Sequence, residues 1–234
     1  MDARALPIIE FTLDAPWIQT ASGKAFDLLK PDPAMVDLEN DIAGPLARLA
    51  RFSGHIASGP YSVAQHSVEG ADALLRETGD ERLAALFLLH DAHEAYLGDL
   101  TTPVQAALVD IADSKAGPGA GARLYACLAL LRKGVDEAIH AAAGIEMPST
   151  DESYAIKAMD IRMLITERNH LLGPAPCRWP PVFEAAQPIR RNGRLRAQPW
   201  PDAAADFMTR ARRWLPAFNK TLRQPVLNKT TPGD

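Results

Sequence analysis

The stretch ERLAALFLLHDAHEAYLGD, residues 81–99, decides the fold. Leu83, Leu86 and Phe87 recur at the spacing of one helical face, and the next position on that face is His90. Glu94 follows one turn later. A stripe of this kind is normally buried, so the His90-Asp91 pair brings polar groups toward an interior where each needs a partner. A divalent metal ion is one such partner.

Working outward, capping residues divide the chain into helices. Asp41 can cap a helix to about Phe52, Ser62 a second to about Glu77, and Asp80 a third through about Tyr96, stopped by Gly98. The second carries Ala64, Val68, Ala71 and Leu75 on one face, and His66 lies within it. Thr102 followed by Pro103 opens a short fourth helix. A break at 114–121 precedes a fifth over 122–142. Ser149 and Glu152 have capping-box spacing, which opens a sixth through about Leu172. A last helix covers about 202–222. In front of these, residues 5–30 read as extended: Ile8, Phe11 and Leu13 lead to Trp17-Ile18, and Ser22-Gly23-Lys24 offers a turn. Residues 173–201 hold seven prolines and read as loop with a possible short strand pair. The fold expected is all-α with a small N-terminal β-hairpin or flap. It divides into a flap (1–33), a helical core with the site (34–172), and a Pro-rich segment with a basic terminal helix (173–234).

The sixth helix contains the second anomaly. Asp160 shares a face with Ile156, Met163 and Leu164, where an unpartnered carboxylate is costly. His66, His90, Asp91 and Asp160 together offer two imidazoles and two carboxylates from three helices. Mixed nitrogen and oxygen donors suit Mn, Fe, Co, Ni or Zn better than Mg.

Composition excludes several classes. The 234 residues include only two cysteines, Cys127 and Cys177, so no disulfide framework is implied. No apolar run has membrane-helix length, and the N-terminus lacks a secretory pattern, so a cytoplasmic protein without a membrane partner is expected. A net charge of −4 argues against bulk nucleic-acid binding. The basic residues of the last fifth, from Arg190 to Arg223, read as a solvated face rather than a phosphate surface.

The spacing His66…His90-Asp91…Asp160 resembles the signature of the HD-domain phosphohydrolases, a superfamily built on a helical bundle. Tyr61-Ser-Val-Ala-Gln-His-Ser67 and Leu89-His-Asp-Ala-His-Glu-Ala-Tyr-Leu-Gly-Asp-Leu-Thr-Thr-Pro-Val104 are similar to its YfbR-like 5′-deoxynucleotidase branch. So is Arg51-Phe52, fifteen residues before His66, although that branch usually has Arg-Trp. The likeness runs from about residue 45 to 170. It implies one divalent ion on His66, His90, Asp91 and Asp160, a nucleotide substrate and a homodimer. It further implies removal of the 5′-phosphate from (deoxy)nucleoside monophosphates by metal-activated water. Glu94 would orient or deprotonate that water, and Asp99 would protonate the leaving oxygen or hold the sugar. Arg51 would grip phosphate and Phe52 would pack on sugar or base. Thr101 and Thr102 would donate hydroxyls, and His55 would touch the substrate. His93 reads as a supporting or surface residue, and His140 and His170 have no role. Two other readings stay open: a dNTP triphosphohydrolase using the same centre, and a non-catalytic metal-stabilised nucleotide-binding protein.

Overall fold

A computed structural model of the chain describes residues 15–219. It is predominantly helical, with one two-stranded antiparallel hairpin among the described residues. Strands β1 (Trp17–Gln19) and β2 (Ala25–Asp27) pair Ile18 with Phe26. Gly23 closes the turn at φ +81, a conformation that favours glycine. The extended residues expected before Trp17, at Ile8, Phe11 and Leu13, lie outside the described residues.

Asp41 does not cap the first helix. Asp37 does, accepting from the backbone N–H groups of Glu39 and Asn40. Asp41 is buried one turn later and accepts from the N–H and Oγ–H of Ser22, both at 2.7 Å. It therefore ties the hairpin turn to the core. The helical segment from Leu38 begins as a wide π turn and becomes α1 (Gly44–Arg48). It ends well short of Phe52, because the chain bends into a tight turn at Arg51–Gly54 and bridges Ala50 to Ser62.

Ser62 caps α2 (Val63–Thr78) by accepting from the Gln65 N–H, and Gly79 stops it at φ +73. Asp80 caps α3 (Glu81–Leu89), all of whose residues from Leu83 onward are buried. The expected continuous helix to Tyr96 is interrupted. Residues 90–93 wind more tightly, with N–H groups of Ala92 and Glu94 bonding three residues back, before a short α4 (Glu94–Leu97). The His90 Nδ1–H takes the Phe87 carbonyl at 2.6 Å, competing for the last turn of α3.

Helices α5 (Thr102–Ala116) and α6 (Ala120–Ala143) form a hairpin whose break is shorter than the 114–121 expected. Thr101, not Thr102, is the N-cap residue of α5, and its side chain makes no capping bond. The Ser149–Glu152 capping box opens α7 (Thr150–Leu171). A short α8 (Pro181–Glu184) occupies the Pro-rich segment, where no strand pair forms. Helix α9 (Trp200–Trp214) packs Phe207, Met208, Ala211 and Trp214 into the same core as Phe26, Ile42, Phe87 and Met163. Its cations are engaged: Arg210 with Asp72 and Asp206, Arg212 with Glu39, Arg213 with Glu81.

One close approach sets the position of the site. Gly70 of α2 faces the Phe87 ring of α3, and a Cβ there would lie 2.1 Å from Phe87 Cε1. The Phe87 ring in turn lies 4.3 Å from that of His90 and 5.8 Å from that of His66. Gly70→Ala should therefore push α2 from α3 and cost about 1–3 kcal/mol. A melting temperature equal to the parent's would contradict this.

Candidate metal centre

α2 delivers His66, fully buried, and the turn after α3 delivers His90 and Asp91. His66 Nε2 lies 3.4 Å from His90 Nε2, and Asp91 Oδ2 is 3.8 and 3.2 Å from these nitrogens. The three residues form a group that could hold a metal ion. Asp160 arrives from α7, with Oδ1 3.5 Å from His66 Nε2 and Oδ2 2.8 Å from Lys157 Nζ.

The proton positions test whether a cation fits. His66 Nδ1 meets Glu167 Oε1 at 2.5 Å, and His90 Nδ1 meets the Phe87 carbonyl. A carboxylate and a carbonyl only accept, so both Nδ1 atoms carry hydrogen. Each Nε2 then faces the other ring and the Asp91 carboxylate, and against the cost of burial Asp91 raises the His90 pKa. The three atoms are therefore built around positive charge, which a proton on His90 or a bound cation can supply. Two ligands each about 2.1 Å from one ion stand roughly 3–3.4 Å apart, so the spacing suits a shared ion. The donor set fits a borderline divalent metal.

Glu167 was missed by the sequence reading. It is fully buried and bridges two groups, accepting from His66 and, through Oε2, from Arg51 Nε at 3.1 Å. Burial pushes its carboxyl up, but Arg51 and His66 outweigh this and hold it low. A signal existed: Glu167 stands seven residues after Asp160 and four after Met163, on the same helical face. Arg51 is thus held by Glu167 while one Nη sits 3.6 Å from Asp91 Oδ2. Burial disfavours the Asp91 carboxylate, and His90 beside it more than compensates.

Glu94 and Asp99 flank the cluster. Glu94 Oε2 is buried without a hydrogen-bond partner. Burial, then Asp91 and Asp99, push its carboxyl up to about 9. Asp99 is half-buried and raised by burial, within the fields of Arg51, Asp91 and His66. Of the other sequence-derived substrate contacts, Phe52 is half-buried and packs against Ile56, Tyr61, Leu171 and Leu195. It and Ser53 have φ of +56 and +50, a strained backbone for non-glycine residues beside Arg51. Thr101 is half-buried, while Thr102 and His55 are exposed.

A cleft of about 260 Å³ opens beside His90, Asp91 and Asp160. One face of α7 (Ser153, Ile156, Lys157, Asp160) forms a wall, and Leu86, Asp136, His140, Met147 and Pro148 complete it. Lys157 is a second residue the sequence reading passed over. It places a cation at the cleft's anionic end.

These features define a predominantly helical protein with a His/Asp cluster able to hold a metal ion. No family model matches the chain. It is 33% identical over 204 residues to the uncharacterized protein RCAP_rcc00048 of Rhodobacter capsulatus, covering 83% of this chain and 93% of that one. It is also 40% identical over 96 residues to the uncharacterized protein YfdR of Escherichia coli, covering 40% of this chain and 49% of that one. The chain belongs to the family of the Rhodobacter protein. No helix among the described residues is long and apolar enough to cross a membrane.

Two expectations follow from the geometry. Glu167→Gln removes the anionic acceptor that fixes His66, so affinity for Mn or Zn by calorimetry should fall about 10–100-fold with the fold retained. Unchanged affinity would remove Glu167 from the centre. In chelator, native Glu94 holds a proton up to about pH 9, whereas the unfolded chain releases it near the ordinary glutamate value of 4.5. Stability should therefore fall as pH rises across that window. Glu94→Gln should flatten the fall, and a variant as steep as the parent would refute the assignment.

Proposed function

We propose that this protein is an HD-domain-type, metal-dependent phosphohydrolase that removes the 5′-phosphate from (deoxy)nucleoside monophosphates. The observation that carries the reading is the group of His66, His90 and Asp91 beside a cleft, with Asp160 from a third part of the chain 3.5 Å from His66 Nε2. That is the residue set of the H…HD…D pattern. A divalent ion bound there supplies polarisation of the phosphoryl oxygens and a more acidic water.

The chain's own residues divide the remaining work. Asp91 and Asp160 supply anionic donors, while Glu167 and the Phe87 carbonyl keep the two imidazoles in the tautomer that leaves Nε2 free. Lys157 attracts the phosphate to the cleft's end and partly offsets the carboxylates there. Arg51, held by Glu167 with one Nη 3.6 Å from Asp91, is the cation beside the cluster that would attract a phosphate oxygen. With positive charge in the cluster, Glu94 ionises and takes a proton from the attacking water. As the bond from phosphorus to the nucleoside oxygen breaks, Asp99 returns a proton to that oxygen. Products are inorganic phosphate and nucleoside. A homodimer would cover the stripe Val104, Leu108 and Ile111 on α5, which is exposed at i, i+4 and i+7 spacing.

The test is product analysis on stripped protein reloaded with Mn, Co, Mg or Zn and offered nucleoside mono- and triphosphates. Free phosphate from monophosphates is expected. Asp160→Asn should lose activity together with metal affinity. Glu94→Ala should lose about 10²–10⁴-fold in rate with metal retained. Triphosphate released from dNTPs would replace the nucleotidase reading with the triphosphohydrolase one. No product despite bound metal would overturn catalysis and favour a binding role.

A further inference from the structure

The cleft beside the cluster extends away from Asp160 to residues that the proposed chemistry does not use. Along α7 the lining residues run from Asp160 back to Ser153, a rise of about 10 Å. Across from them, Asp136 and His140 lie one turn apart on α6 and so share a face. Leu86, Ile156, Met147 and Pro148 make the walls between apolar. The volume, about 260 Å³, equals roughly nine waters in the liquid, enough for a planar ring and part of a sugar.

The α6 side of the cleft carries an acceptor. Asp136 Oδ1 accepts from His93 Nδ1–H at 3.0 Å, which fixes the carboxylate's plane. Its Oδ2 has no protein donor among the described residues. His140 is 5% exposed, and its Nδ1 has no hydrogen-bond partner. A carboxylate in an apolar-walled slot selects a ring edge that presents only donors. Adenine, cytosine and thymine each place an acceptor next to their donor, which a carboxylate repels. Guanine alone among the common bases presents two adjacent donors, N1–H and N2–H, with no acceptor between them.

We propose that this cleft is a nucleobase subsite and that Asp136, held by His93, makes it selective for guanine. The assignment rests on the nucleotide reading of the adjoining centre, but it can be tested apart from it. The probes are unphosphorylated nucleosides with metal-free protein in chelator, followed by calorimetry or ligand-observed magnetic resonance. Deoxyguanosine should bind at least about tenfold more tightly than deoxyadenosine, deoxycytidine or thymidine, with deoxyinosine, which lacks the exocyclic amine, in between. Asp136→Asn exchanges an acceptor for a donor and should cut deoxyguanosine binding about tenfold or more, leaving the other nucleosides within about twofold. If that variant fails to fold, the order of nucleosides on the parent protein carries the test. Equal binding of all five, or no binding, overturns the proposal. Guanine-selective binding without hydrolysis of any monophosphate would overturn the reaction instead. Hydrolysis of all monophosphates with unselective binding would overturn the subsite alone.

Discussion

Two imidazoles face one another across 3.4 Å with their protons committed to the other side. Much of this protein's architecture serves that arrangement. Each Nδ1–H is held by a group that can only accept, one a buried carboxylate and the other a carbonyl from the end of α3. The facing Nε2 atoms call for positive charge between them, and against the cost of burial Asp91 favours it by raising the His90 pKa. The helices carrying the rings are packed tightly enough to hold them in place. The Gly70–Phe87 contact, which leaves no room for even a methyl group, is where that packing is closest.

The same logic explains Glu167 and Arg51. A fully buried carboxylate costs several kcal/mol unless it is paired and hydrogen-bonded. Here it is met on one side by His66 and on the other by a guanidinium, which offers more than one donor. Arg51 sits just ahead of the strained Phe52-Ser53 turn, so the backbone distortion lies where the side chain must turn inward. That strain is tolerated because the Ala50–Ser62 bridge and the cap of α2 fix the chain on both sides.

Much of this was legible in the sequence where a residue broke a pattern. His90 and Asp160 interrupted apolar stripes, and Ser62, Asp80 and Ser149 stood where caps are needed. Other features left no such mark. Asp37 and Asp41 are both acceptable caps locally, and only the hairpin turn at Ser22, distant in sequence, draws Asp41 inward. The tightened turn at 90–93 was hidden because His-Asp-Ala-His-Glu keeps helix-compatible residues throughout. The cause is the His90 ring taking a backbone carbonyl, a contact that a linear reading does not contain. Glu167 lies in Thr-Glu-Arg-Asn, which reads as a solvated helix end, yet its phase with Asp160 and Met163 turns it to the core.

Charge balance links the centre to the substrate it is proposed to take. Asp91, Asp160 and Glu167 are held ionised by their neighbours, and Glu94 and Asp99 add two more acidic groups whose burial resists ionisation. Arg51 and Lys157 are the cations in direct contact with this set. Burial pushes the Glu94 and Asp99 carboxyls up, so both resist adding further negative charge to the cluster. On the proposed reading, a divalent ion held by these residues would offset that charge, Glu94 would serve as the base and Asp99 as the acid. A carboxyl pair able to divide into one base and one acid would suit the phosphate-ester hydrolysis proposed for this protein.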